Sequence, residues 1–121
     1  MTVKTGKDYV ESLRKRKITV YLFGEEIKNP VDHPVIKPSI NSLSATYDIA
    51  HDARYKNLAT ATSHLTGETI NRFTHIHQNT EDLVKKVKLL RLLGQKTGTC
   101  FQRCVGMDAL NTLSSVTYEM D

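Results

Sequence analysis

The 121-residue chain contains no tryptophan, only two cysteines and only three prolines. Two cysteines cannot build the many-bridged scaffold of a small secreted domain. Six glycines are present, but LTGET and GQKTGT fit neither GxxxxGK[ST] nor GxGxxG, which disfavours P-loop and Rossmann nucleotide chemistry. No GxSxG elbow offers a hydrolase serine. No apolar run approaches the ~20 residues that cross a bilayer, and MTVKTGKDYVESL lacks the apolar centre of a secretory leader. These absences predict a cytoplasmic chain with no membrane partner.

Charge of one sign is not dominant either. Seventeen Lys and Arg against thirteen Asp and Glu give a net charge of +4. The basic residues are scattered among acids, and the two dense clusters, RKRK at 14–17 and KKVK at 85–88, read as solvated helix faces. No nucleic-acid partner is expected, while anionic, nucleotide-like cofactors stay open. With 39% hydrophobic and 25% charged residues the composition is globular, and the length suits one domain burying roughly two-thirds of its unfolded surface.

The pattern is mainly helical. Thr5 and Asp8 in TGKD form a capping box ahead of Tyr9, Val10 and Leu13, predicting a helix at about 5–15. ITVYLFGEEI is rich in β-branched and aromatic residues and is broken by Gly24, so a short extended segment is expected near 18–23. The three prolines of NPVDHPVIKPS remove backbone donors and favour an ordered connector. A helix follows from Pro38 or Ser39 to His51 or Asp52, with Ile40, Leu43, Tyr47 and Ala50 as its buried stripe. From Ala53 to Gln78 the signal weakens to a long irregular connector with short extended or helical turns. Asn79 then caps a strong helix, with Asp82 at its third position and outer pairs Glu81–Lys85 and Asp82–Lys86. Leu83, Val87, Leu90 and Gly94 share one side of it, with Val84, Leu89, Leu92 and Leu93 widening the apolar surface. A break or kink is expected in GQKTG. The last helix starts near Thr97 or Thr99, with Phe101, Val105, Ala109, Leu113, Val116 and Met120 as its core face. Cys100, Cys104 and Met107 form a second stripe turned about 100° from it.

Cys100 and Cys104, four apart in TCFQRC, admit three readings. A disulfide strains a helix, because residues at this spacing place Cβ atoms about 6 Å apart against the 3.5–4.5 Å a bridge needs. Buried free cysteine acts as a small hydrophobe, and packing is the commoner use of such a pair. Thiolates on one helix face also reach a common metal or neighbouring irons of a cluster, although two ligands do not close a four-ligand cage. His33, His51, His64, His75 and His77 are candidate complements. THIH puts His75 and His77 on one face if extended, but no zinc-finger spacing is present, and surface or hydrogen-bonded histidines are the plainer reading.

TGKDYVESLR, VYLFGE, VDHPVIKPSINSLSATYDIA, LTGETINRF, EDLVKKVKLLRLLGQKTGTCFQRCVGMDAL and TYEMD together resemble the amino-terminal part of the 4-hydroxybutyryl-CoA dehydratases. The broader superfamily, which includes the flavin-dependent 4-hydroxyphenylacetate 3-monooxygenases, is similar at TGKDYVESLR, YLFGE, DHP and LTGETINRF. CFQRC points to the dehydratase branch. The resemblance implies a single helical domain over 1–121, the first part of an acyl-CoA-dehydrogenase-like fold whose downstream β domain and carboxy-terminal helical domain are absent. It further implies that Cys100 and Cys104 ligate a [4Fe-4S] cluster completed by later parts of the enzyme. Gln102, between them, becomes the candidate catalytic residue, against the plainer reading of an exposed amide. FAD is the second implied cofactor, an acyl-CoA the substrate, and a homotetramer the complete assembly. The partner is the enzyme's downstream portion or a separately encoded remainder. Alone, the chain is expected to bind neither cofactor stably and to be inactive. The alternatives are the amino-terminal domain of a phenol monooxygenase and a non-catalytic helical scaffold.

Overall fold

The computed structural model describes residues 3–98 and 103–120. Helix α1 (Gly6–Arg14) starts at the expected capping box: Thr5 Oγ1 accepts from the Asp8 amide at 3.1 Å and Asp8 Oδ2 accepts from the Thr5 amide at 2.9 Å. The extended segment is a hairpin of β1 (Tyr21–Leu22) and β2 (Glu25–Glu26). Its two-residue turn has φ of 53° at Phe23 and 87° at Gly24, the paired positive values of a type I′ turn.

Helix α2 (Lys37–Asp48) begins with Pro38 in its first turn and runs into a 3-10 turn at Ile49–His51. Proline is tolerated there because the first amides of a helix have no intrahelical acceptor. Within the expected α2 stripe Ile40 and Ala50 are buried and Leu43 and Tyr47 partly so. α1 lies against α2 at Gly6, where an added Cβ would sit 2.8 Å from the Ser44 carbonyl oxygen. The Gly6 amide donates to Asp48 Oδ1 at 2.7 Å, so the closeness is also a hydrogen-bonded contact.

The weak region has more structure than its pattern suggests. It folds as α3 (Lys56–Ala59), the antiparallel pair β3 (Thr60–Thr62) and β4 (Thr69–Asn71), and a 3-10 turn at Arg72–Thr74. Besides Ala59 and Phe73, its buried residues Ser63, Asn71, Arg72 and His75 are polar, which hydrophobic periodicity does not detect.

Helix α4 (Thr80–Thr97) is capped by Asn79, whose Oδ1 accepts from the Asp82 amide at 3.0 Å. The expected break in GQKTG falls at its second glycine: the helix continues through Gly94 to Thr97 and stops at Gly98, whose φ is 64°. One glycine inside a long helix costs only about 1 kcal/mol, whereas a glycine just past the end takes the left-handed conformation freely. Of the expected apolar surface only Leu89 and Leu93 are fully buried, with Leu90 and Leu92 partly so. Leu83, Val84 and Val87 are exposed, and Lys86, Leu89 and Leu93 point inward. Leu89 and Leu93 join Ile49, Ala50 and Ala59 in the core, with Val3, Tyr55, Leu58 and Leu92 packed around it. Each such leucine contributes about 2 kcal/mol of transfer free energy.

Helix α5 (Arg103–Met120) reverses the expected assignment of its faces. Val105, Leu113, Val116 and Met120 are 57%, 63%, 48% and 80% exposed, and Met107 is 2% exposed. Ala109 is exposed as well; Phe101 lies outside the described residues. The longer apolar stripe has no neighbour among the described residues, and the stripe of Cys104 and Met107 meets the domain instead. Among the described residues, no helix is long and apolar enough to cross a membrane.

Candidate functional site

Two polar constructions tie α4 and the cysteine-bearing helix to the rest of the domain. The first centres on Arg72, 4% exposed. Its Nε donates to the Leu58 carbonyl at 2.7 Å and Nη2 to the Thr60 carbonyl at 2.6 Å, while Nη1 meets Asp82 Oδ1 at 3.3 Å. Asp82 Oδ2 also lies 3.1 Å from His75 Nε2 and accepts from the Gln78 amide at 3.0 Å. One carboxylate thus joins the start of α4 to the loop before it. Burial would raise the Asp82 pKa, but the Gln78 amide, His75 and Arg72 together hold it below its ordinary value. Burial lowers the Arg72 pKa, with Asp82 opposing it. The expected Asp82–Lys86 pair does not form; Lys86 is buried and reaches Asp108 of α5 instead. The expected Glu81–Lys85 pair does form, at 2.5 Å.

The second construction is on α5. Asn111 Oδ1 accepts from the His77 amide at 2.7 Å. Asn111 Nδ2 donates to its own helix at Met107 O, 2.8 Å away, and more weakly to the His75 carbonyl at 3.4 Å. Arg103 Nη2 donates to Thr46 Oγ1 at 2.9 Å, and the guanidinium lies over Phe73, 4.1 Å from its ring centroid. Apart from the two histidines, none of these groups was legible as a site residue. Lys86 lies in KKVK, read as a solvated run, and Asn111 and Arg103 belong to no motif that marks an interhelical hydrogen bond.

Cys104 is a free, half-buried thiol in the first turn of α5. Cys100 and Gln102 lie outside the described residues. The histidines do not gather round Cys104: among the described residues, no group of three His, Cys, Asp or Glu side chains is placed to hold a metal. His75 and His77 are neighbours, with ring centroids 6.4 Å apart, but His75 is buried against Asp82 and neither complements the cysteine in a metal-binding group. An apolar cleft of about 140 Å³ between Tyr47, Ile70 and Phe73, and an open polar one of about 640 Å³ beside Arg72 and Lys85, both have walls without Cys104. A free thiol is a soft donor suited to iron–sulfur or zinc chemistry. Cys104 supplies one such donor, and the described residues do not by themselves complete a metal or cluster site.

Residues 5–121 match the family described as 4-hydroxyphenylacetate 3-hydroxylase N terminal. The chain is 60% identical over 117 residues to a 4-hydroxybutyryl-CoA dehydratase/vinylacetyl-CoA-Delta-isomerase of Clostridium aminobutyricum, an alignment covering 97% of this chain and 24% of the relative. Among solved structures, an oxygen-tolerant archaeal 4-hydroxybutyryl-CoA dehydratase from N. maritimus superimposes with a TM-score of 0.91 at 58% identity, over 99% of this chain and 24% of that one. The oxygenase component of 4-hydroxyphenylacetate 3-monooxygenase complexed with FAD superimposes with a TM-score of 0.66 at 28% identity, over 77% of this chain and 19% of that one. The chain thus spans about a quarter of the length of the dehydratases it matches. With all but the first four residues inside the match and the helices superimposing throughout, the chain belongs to the 4-hydroxyphenylacetate 3-hydroxylase N-terminal family.

Proposed function

We propose that the chain is the amino-terminal helical part of a 4-hydroxybutyryl-CoA dehydratase-like enzyme of acyl-CoA-dehydrogenase-like architecture, which converts 4-hydroxybutyryl-CoA to crotonyl-CoA. The observation that carries the reading is the 60% identity to a named dehydratase/isomerase across 97% of the chain. The similarity to 4-hydroxyphenylacetate monooxygenases is lower and shorter, 35% over 57 residues for the one from Thermus thermophilus.

In this reading Cys100 and Cys104 are two thiolate ligands of a [4Fe-4S] cluster, and the other ligands, the general base and most flavin contacts lie in the polypeptide that completes the enzyme. When bound, the cluster supplies a Lewis acid for the leaving hydroxyl, and FAD a one-electron oxidant that makes loss of the poorly acidic β-hydrogen feasible. The chain's own contribution is to hold Cys104 on a helix fixed by Arg103, Lys86 and Asn111. Gln102 is assigned a hydrogen bond to a reacting group. The exposed α5 stripe of Val105, Leu113 and Val116 is the surface on which the remaining domains pack, and in their absence the chain is inactive.

The test is iron, acid-labile sulfide and flavin content in protein purified without oxygen, as the 121-residue chain and with the rest of the enzyme restored. Iron and FAD in the extended protein, with iron lost in Cys100→Ser and Cys104→Ser variants, are expected. Flavin without iron, unaffected by those substitutions, would overturn the reading in favour of a monooxygenase.

A further inference from the structure

The turn of α5 that presents Cys104 is held by the residue beside it. Arg103 Nη2 donates to Thr46 Oγ1 at 2.9 Å, and Thr46 is 1% exposed. The Thr46 hydroxyl donates in turn to the Leu43 carbonyl at 2.6 Å, which leaves its oxygen lone pairs to accept from the guanidinium. The same guanidinium lies 4.1 Å from the Phe73 ring centroid and 5.3 Å from that of Tyr47. Those rings are themselves fixed, Tyr47 edge-on to Phe73 at 5.1 Å and stacked on Tyr9 at 5.0 Å. Arg103 is thus gripped by α2 and by the Phe73 turn, while the polar ties further along α5, Asp108 and Asn111, lie one and two turns beyond Cys104.

We infer that Arg103 is a positioning residue for the Cys104 thiolate, setting the rotation and depth of the first turn of α5. The inference rests on the cluster reading of Cys104 given above. A helix advances about 100° per residue, so a small rotation swings a side chain sideways, whereas metal–ligand distances hold within about 0.2 Å. Anchors one and two turns away leave the end of a helix free to fray. A planar, permanently charged guanidinium suits this task, since it hydrogen-bonds in plane and stacks on an aromatic face at once.

Two measurements separate this inference from the reading beneath it. In the 121-residue chain, Arg103→Met should raise amide exchange at residues 107 and 108, whose amides bond back to the turn that carries Arg103, by roughly tenfold, the loss of one hydrogen bond and one cation–π contact, with α4 unchanged. Thr46→Val, which removes only the hydrogen bond, should give a smaller increase. In the extended enzyme purified without oxygen, Arg103→Met should lower iron per polypeptide several-fold or alter the electron paramagnetic resonance spectrum of the reduced cluster, and Arg103→Lys should not restore either. Leu89→Ala, a core cavity remote from these contacts, should lower the melting temperature yet keep the spectrum. Unchanged exchange in both Arg103→Met and Thr46→Val, or wild-type iron and spectrum in Arg103→Met, overturns the inference. A wild-type extended enzyme without iron overturns the cluster reading and the inferred role with it, even where the exchange data confirm the anchor.

Discussion

Lys86 of α4 crosses to Asp108 of α5, one helical turn beyond Cys104 on the same face. The two ends are unequal, with the lysine side chain 10% exposed and the aspartate 59%. Removing Asp108 leaves a buried ammonium without its carboxylate, whereas Lys86→Met keeps the apolar stem and frees an aspartate that water solvates. Asp108→Ala should therefore cost about 1–3 kcal/mol and more than Lys86→Met. Urea unfolding of the two variants checks the order, and equal losses would show that burial of the lysine is not what matters.

Arg72 should tolerate no replacement. Its guanidinium satisfies backbone carbonyls of Leu58 and Thr60 while meeting Asp82. Arg72→Ala leaves those acceptors unpaired and takes the permanent charge away from a mostly buried carboxylate, which keeps only His75 and the Gln78 amide, at an expected cost of about 3–5 kcal/mol. Arg72→Lys should recover little, because an ammonium cannot span the same fork. Thermal unfolding followed by circular dichroism reads both.

Two glycines should respond with opposite sign. Gly6 is buried where α1 meets α2, and a methyl there would collide with Ser44 and Asp48. Gly6→Ala should destabilise by about 1–3 kcal/mol. Gly94 sits inside α4 with nothing within 4 Å of an added Cβ, so in this chain Gly94→Ala should stabilise by about 0.5–1 kcal/mol through helix propensity alone. Denaturant midpoints of the two variants should move in opposite directions.

Acid should weaken the fold in two steps. Burial, and next the Lys86 charge, hold the His77 pKa below its ordinary 6.5. Above that pH neither state binds the proton; as pH falls through 6.5 the unfolded chain takes it up first, and stability drops until the lower folded value is reached. The Asp82 pKa is held below its ordinary 3.8, so its contribution is fully present above 3.8 and is lost as pH falls through the folded value. The urea midpoint should be level from pH 8 to 7, decline below 6.5 and decline again below about 4. His77→Asn should flatten the first decline and leave the second.

The outward stripe of α5 should make the isolated chain self-associate, since a contiguous apolar face left in water favours burial against any similar surface. Leu113→Lys with Val116→Glu should lower the mass seen by light scattering at high concentration. The melting temperature should change little, because both positions are exposed, at 63% and 48%.

The sequence by itself determined where α1 and α4 begin, because those signals are local. The Thr5–Asp8 capping box, the Asn79 cap and the Phe23–Gly24 turn each rest on bonds or backbone angles within a few residues, and all three are present. It also carried the family likeness through motifs spread along the whole chain. Only the tertiary structure decided which face of a helix is buried. On α5 the longer apolar stripe, read as core, faces solvent, while the shorter stripe with Met107 packs inward; on α4 a lysine is buried and two valines are not. Periodicity reports that a face is apolar but not what covers it, and in a chain about a quarter the length of its dehydratase relatives some apolar faces have no neighbour among the described residues. The polar ties at Arg72, Lys86 and Arg103 depend on groups 10 to 57 residues apart meeting in space, and no local pattern encodes such a meeting.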